Sequence, residues 1–173
     1  MPRTGLRTLI WRSQMYSCRP IRRLVVLGGL APILGSGCAA RDVKGTVIAL
    51  ERAALDRWGK GDPWGPLELC ADEVTYFDPD LKQRMNGLES LQDLLAPLQG
   101  QIRIERYDMI DPRVQVHDDI AVLTYNLVDH VRTSDGSLTR SCWNSTEVYH
   151  HAGGKWRIIH SHWSQPKQCE NTE

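Results

Sequence analysis

Two rhythms divide the chain. Between positions 43 and 98 apolar residues recur at spacings of three and four, and from 101 onward they alternate with polar ones. The first spacing marks one face of a helix; alternation marks a strand with one side turned to a core. Val47, Leu50, Ala54 and Trp58, widened by Ile48 and Leu55, predict a first helix. Asp42 is placed to cap it, and Gly59, Gly61 and Pro63 stop it. A short second helix is expected at 66–71 and a strand at 74–77, ended by Asp78, Pro79 and Asp80. After Met85, Asn86 and Gly87, a third helix follows with Leu88, Leu91, Leu94, Leu95 and Leu98 on its apolar face, closed by Gly100. The alternating half predicts strands at 102–110, 120–132, 138–150 and 155–163. Turn residues separate them at 111–112, 117–119, 134–136 and 152–154. Helices with one early strand, then a long meander, give an α+β fold: a strongly curved antiparallel sheet wrapped on the first helix, leaving an open cone.

Charge changes the picture at the front of the chain. The 173 residues are formally neutral, yet six of the 21 basic residues and none of the 21 acidic ones lie in the first 38 positions, so the rest carries a net charge of about −6. Arg19, Arg22 and Arg23 precede an 11-residue apolar run, LVVLGGLAPIL, and then small residues. That is the build of an export signal, with translation starting at Met1 or Met15, and the run is too short to span a bilayer. Lipidation at Cys38 within GSGCAA and ordinary cleavage after Ala40 both fit, so the expected location is periplasmic or lipid-anchored, with membrane contact only through that anchor. Residues 1–40 are read as the extension and signal, 41–165 as one domain, and 166–173 as a polar tail expected to fray. At most three of the five cysteines remain in the body, enough for one bridge and an odd thiol in an oxidising compartment. An acidic body without a basic stripe argues against nucleic-acid binding.

The order of elements and several segments resemble the nuclear transport factor 2-like superfamily. Within it the likeness is to the association (hub) domain of calcium/calmodulin-dependent protein kinase II and its bacterial single-domain relatives. The segments are TYFDPD (75–80), MNG (85–87), DPRVQVHDDIAVLTYNLV (111–128), STEVYHHAGGKW (145–156) and IIHSHWS (158–164). The resemblance implies six strands, a pocket between sheet and first helix, and a homodimer or larger ring formed through the outer face of the sheet. It also implies an arginine just before the V-aromatic-H step, where this chain has Glu147.

Candidate chemistry centres on GGKWRIIHSHWS (153–164). Strict alternation puts His160 and His162 on one face with Trp156 and Ile158, and Ser161 and Trp163 on the other. An HxH pair binds metal only with a third ligand. His130 and Asp78 are the candidates, but no spacing compels either, so neither metal nor cofactor is assigned. Relatives of this fold include ketosteroid isomerase, scytalone dehydratase, limonene epoxide hydrolase and polyketide cyclases, which seat an acid–base residue in an apolar cone. Asp78 and His160 are the catalytic candidates by that analogy, although Asp78 before Pro79 reads first as a turn residue. Trp58, Tyr76, Tyr125, His130, Trp143, Asn144 and His162 are the candidate ligand-binding residues. The expected function is a small-molecule binding or oligomeric assembly module; the alternative is an isomerase, dehydratase or hydrolase working from the cone.

Overall fold

The computed structural model describes residues 42–132, 136–167 and 169. The expected signal and Cys38 lie outside the described residues. Helix α1 (Val43–Gly59) starts where the Asp42 carboxylate accepts the Gly45 amide at 3.0 Å. Its buried side carries Val47, Glu51, Ala54 and Leu55. Helix α2 is shorter than expected, Trp64–Leu67, because strand β1 (Cys70–Phe77) begins earlier. α2 presses close on α1 at Gly65, where a Cβ would stand 2.7 Å from the Ala54 carbonyl oxygen. Met85–Asn86 forms a two-residue strand, β2, that the sequence pattern does not announce. Helix α3 (Leu88–Leu95) and a 3-10 turn (Ala96–Leu98) lead to four long strands: β3 (Arg106–His117), β4 (Ile120–Arg132), β5 (Leu138–Ala152) and β6 (Lys155–Ser164).

The six strands form one sheet in the order β2-β1-β6-β5-β4-β3. All pairings are antiparallel except β1 with β6, which is parallel. The architecture is the expected α+β cone, an unclosed curved sheet with helices on its inner side. Val47, Leu55, Leu67, Val74, Leu123 and Tyr149 form the centre of the core, each worth about 1.5–3 kcal/mol or more as buried apolar surface.

Two bulges set which residues face inward. Asp111 and Pro112 were expected to end a strand; instead β3 runs through them. The register against β4 shifts between Ile110 and Arg113, and Asp111 takes a positive φ of 46°. Proline is tolerated there because β3 is a sheet edge. The inward set consequently changes parity, from Tyr107 and Met109 to Val114 and Val116. The second bulge lies in β6. Tyr149 pairs with Ile158 but Val148 pairs with His160, so Ile159 is the extra residue.

One residue of the tail is tied to the sheet. Cys169 is disulfide-bonded to Cys142 of β5, and Cys70 is a buried free thiol.

Candidate functional site

The bulge at Ile159 decides the histidines. Ile158 faces the core, and beyond the extra residue it is Ser161 and Trp163 that turn inward. His160 and His162 do share a face, but it is the outer one, opposite to Ile158. There Phe77 packs edge-on against the His160 ring at 5.9 Å and lies 5.5 Å from His162. His160 Nδ1 bonds the Thr75 hydroxyl at 2.7 Å. Burial, His162 and Arg84 together hold the His160 pKa below its ordinary value. Neither histidine reaches the cone. Parity alone removes two more candidates. On β4 and β5 the odd positions face inward, so His130 and Asn144 face out. His130 pairs with Asp108 at 2.8 Å, and Asn144 accepts from Asn126 at 2.7 Å. Among the described residues no cluster of three metal-ligating side chains forms.

The cone encloses a cavity of about 340 Å³. α1 contributes Glu51, Leu55 and Trp58; α3 and the turn after it contribute Leu91, Leu94, Leu95 and Leu98. The sheet contributes Leu127, Asp129, Trp143, Glu147, Ser161 and Trp163. Tyr76, Asp78 and Leu81 complete the wall where β1 ends. Of the candidates, Trp58, Tyr76, Asp78 and Trp143 therefore line the cavity. Tyr125 is buried behind the wall against Trp163, with ring centroids 5.9 Å apart. Asp78 serves as turn residue and wall at once: its Oδ1 accepts the Asp80 amide at 2.9 Å and its Oδ2 the Tyr76 hydroxyl at 3.0 Å.

The principal chemistry sits on two carboxyls that the sequence reading passed over. Glu51 is 4% exposed and Glu147 1% exposed. Tyr125 donates to Glu51 Oε1 at 2.6 Å, and Tyr149 donates to Oε2. Burial raises the Glu51 pKa, and the two phenols counter part of that rise. Glu147 is pushed well above the ordinary carboxyl range, first by burial and then by the nearby Glu51. Two like charges so placed do not both ionise, and the phenol donors favour the charge on Glu51. Of the two, Glu147 holds a proton the more readily.

The hydrogen bonds locate that proton. The hydroxyls of Ser145 and Ser161 both donate to Glu147 Oε1, each at 3.0 Å. The Trp163 indole N–H donates to Ser161 Oγ at 3.1 Å, which orients the Ser161 hydroxyl toward Glu147. With Oε1 saturated by donors, the acidic hydrogen belongs on Oε2, which is buried and has no partner. The wall of the cavity thus holds a carboxyl whose raised pKa favours its neutral form and whose Oε2 no protein group engages.

Glu51 was legible as a charged residue inside the apolar stripe between Val47 and Leu55. Glu147 was legible from its alternation with Ser145 and Tyr149, and Asp129 from its alternation with Tyr125 and Leu127.

A wider groove of about 830 Å³ runs between α1, α2 and the starts of β1 and β6. Its main charged groups are engaged with one another or with the backbone. Arg57 binds Asp62 and Glu68, each at 2.7 Å, and Arg157 donates to the Glu68 carbonyl. It offers a ligand less than the cone does.

The comparisons with known proteins agree with this geometry. A candidate ketosteroid isomerase from Parabacteroides distasonis is 38% identical, covering 73% of this chain and 90% of that one, with a TM-score of 0.65. The association domain of C. elegans CaMKII is 21% identical over 70% of this chain and 95% of that one, TM-score 0.62. An NTF2-like protein of unknown function from Pseudomonas putida is 19% identical over 75% and 91%, TM-score 0.61. The latter two likenesses concern the fold alone. No curated protein sequence matches significantly. The sequence profile of the calcium/calmodulin dependent protein kinase II association domain matches residues 44–167. The chain belongs to that association-domain family, and its fold is the nuclear transport factor 2-like one.

Proposed function

We propose that the cone binds a mainly apolar molecule with a carbonyl group, and moves a proton at a carbon beside that carbonyl. The observation that carries this is Glu147 in the wall of an apolar cavity, its Oε2 buried and without a protein partner; protonated, it is a spare O–H donor. Such a group stabilises negative charge developing on a carbonyl oxygen, and it does so best where water is excluded. Asp78 is the partner base. Two hydrogen bonds, from the Asp80 amide and the Tyr76 hydroxyl, hold its carboxyl group in place. Tyr76, Ser161 and Glu147 are neighbours across β1, β6 and β5, so Asp78 stands about two strand spacings, roughly 10 Å, from the Glu147 row, with room for a small ligand between. In the step, Asp78 takes a proton from the α-carbon and the electron pair moves onto the carbonyl oxygen, which the Glu147 O–H holds. Return of the proton to another carbon of the conjugated system gives the isomer. The likeness to a candidate ketosteroid isomerase supports this class over a dehydratase or hydrolase.

The test is conversion of β,γ-unsaturated ketones to their conjugated isomers, followed by ultraviolet absorbance. Asp78→Asn is expected to lower turnover at least about 100-fold. Absence of turnover in the unaltered chain, across ring sizes, would leave a binding module only.

A second reading concerns assembly and has its own support. On the outer face the middle of β4 and β5 presents Val122, Thr124, Asn126, Asn144, Thr146 and Val148, without a charge. Phe77 and Ile110 stand 39% and 48% exposed nearby in the sheet. An uncharged sheet face of this kind suits a self-complementary contact with a second copy. The expected species is a dimer or larger homo-oligomer, read by native mass spectrometry. Export, with or without an anchor at Cys38, remains part of the proposal and is tested by fractionation of the host cell.

A further inference from the structure

The cavity wall holds a second carboxyl with a buried oxygen that no protein group engages. Asp129 is 8% exposed and lines the cavity, and its Oδ1 has no hydrogen-bond partner. The Trp143 side chain hydrogen-bonds to the carboxyl. Burial pushes its pKa up to about 6, with Trp143 and His130 opposing, so at neutral pH most molecules carry the charge there. An ionised carboxylate is an acceptor only. Nothing in the proton transfer proposed above uses it.

Its position makes it useful. Asp129 pairs with Ser141 on β5, six residues from Glu147 along the same strand. Six residues of strand span about 20 Å of backbone. The wall between the two is apolar, formed by Leu127, Trp143 and Trp163 on the sheet with Leu55 and Trp58 opposite. One end of the cavity therefore offers a donor, the Glu147 O–H, and the other offers an acceptor. We infer that Asp129 is a specificity-determining anchor: the cone selects elongated apolar molecules with a carbonyl at one end and a hydroxyl or amine donor at the other. This rests on the carbonyl reading of the Glu147 end and adds the far end of the ligand to it. An unpaired buried acceptor is costly, so a ligand without the far donor loses more than one contact.

The test is a ladder of ketones from cyclohexanone to a four-ring ketosteroid, each with and without a hydroxyl at the end far from the ketone. Binding to the purified full chain is measured by calorimetry. The hydroxylated member of a pair should bind about tenfold more tightly, and only among the members long enough to span both ends. Asp129→Leu, which can neither donate nor accept, should erase that preference, and Asp129→Asn, which keeps only a neutral acceptor, should weaken it. Both should still bind the plain ketones, and thermal melts confirm that they are folded. An equal preference in the unaltered chain and in both variants would overturn the anchor while leaving the ketone site intact. If no ketone in the ladder binds, the carbonyl reading fails at the Glu147 end and the anchor fails with it.

Discussion

Glu147 and Ser161 face each other across the β5–β6 ladder, and the Ser161 hydroxyl donates to Glu147 Oε1 at 3.0 Å. That contact exists because of the bulge at Ile159; strict alternation from Ile158 would put His160 in its place. A one-residue insertion in a strand thus turns Ser161 and Trp163, rather than the two histidines, inward beside Glu147.

The buried acids impose a pH dependence on stability. Glu147 and Glu51 have folded-state pKa values above the 4.5 of a free side chain, and Asp129 rises from 3.8 to about 6. The folded protein therefore keeps protons that the unfolded chain releases above about pH 4.5, and stability falls as pH rises through that window. Exposed Asp62, Glu68 and Glu105 shift the other way, but they act below it and weigh little. The melting temperature is expected to drop from about pH 5 to about pH 8, and Glu147→Gln to flatten the drop. A flat profile in the unaltered chain would mean that Glu147 is ionised in the fold.

Glu51 depends on its two phenols. Removing one hydroxyl leaves a buried carboxyl short of a donor, so Tyr149→Phe and Tyr125→Phe should each cost about 1–3 kcal/mol in urea denaturation. Glu51→Gln placed on Tyr149→Phe should recover part of the loss, because an amide is cheaper to bury than a charge. A neutral effect of both phenylalanine variants would show that the phenols do not support Glu51.

Strand β4 was readable to the residue, Ile120–Arg132, because nothing interrupts its alternation. β3 was not: Asp111 and Pro112 look like a turn in any single strand, and only the neighbouring β4 makes them a bulge. The same holds for Ile159, whose extra position exists only relative to β5. A bulge is a property of two paired strands, so one strand's pattern does not contain it. The carboxyls differ. Glu51, Asp129 and Glu147 sit at inward positions of regular elements, and their parity was visible. The histidine pair carries the more familiar chemistry, and the hub-family likeness marks position 147 only by its lack of an arginine.

The outward placement of the histidines gives a sharp expectation for binding. His160→Ala with His162→Ala should leave ketone affinity within about twofold, since both side chains pack on Phe77 outside the cone. Trp163→Ala should weaken binding at least about tenfold, because Trp163 both lines the cavity and holds Ser161 in place. If the double histidine variant lost binding and Trp163→Ala kept it, the assignment of inner and outer faces on β6 would be wrong.

The last prediction concerns the tail. Cys142 and Cys169 lie 27 residues apart in sequence with Cα atoms 5.5 Å apart, and the bridge closes the β6 hairpin and its tail into one loop. Closing a loop of that length removes unfolded-state freedom worth about 3 kcal/mol. Cys169→Ser should therefore lower unfolding free energy by roughly that amount, and dithiothreitol should do the same to the unaltered chain but nothing further to the variant. Cys70 gives the internal control: it is buried and its pKa is pushed up to about 12, so native alkylation should miss it with or without reductant. Peptide mapping without reduction should find Cys142 and Cys169 in one linked species. If both thiols alkylate freely in protein taken from its own host, the bridge does not form there, and the expectation of an oxidising compartment falls with it.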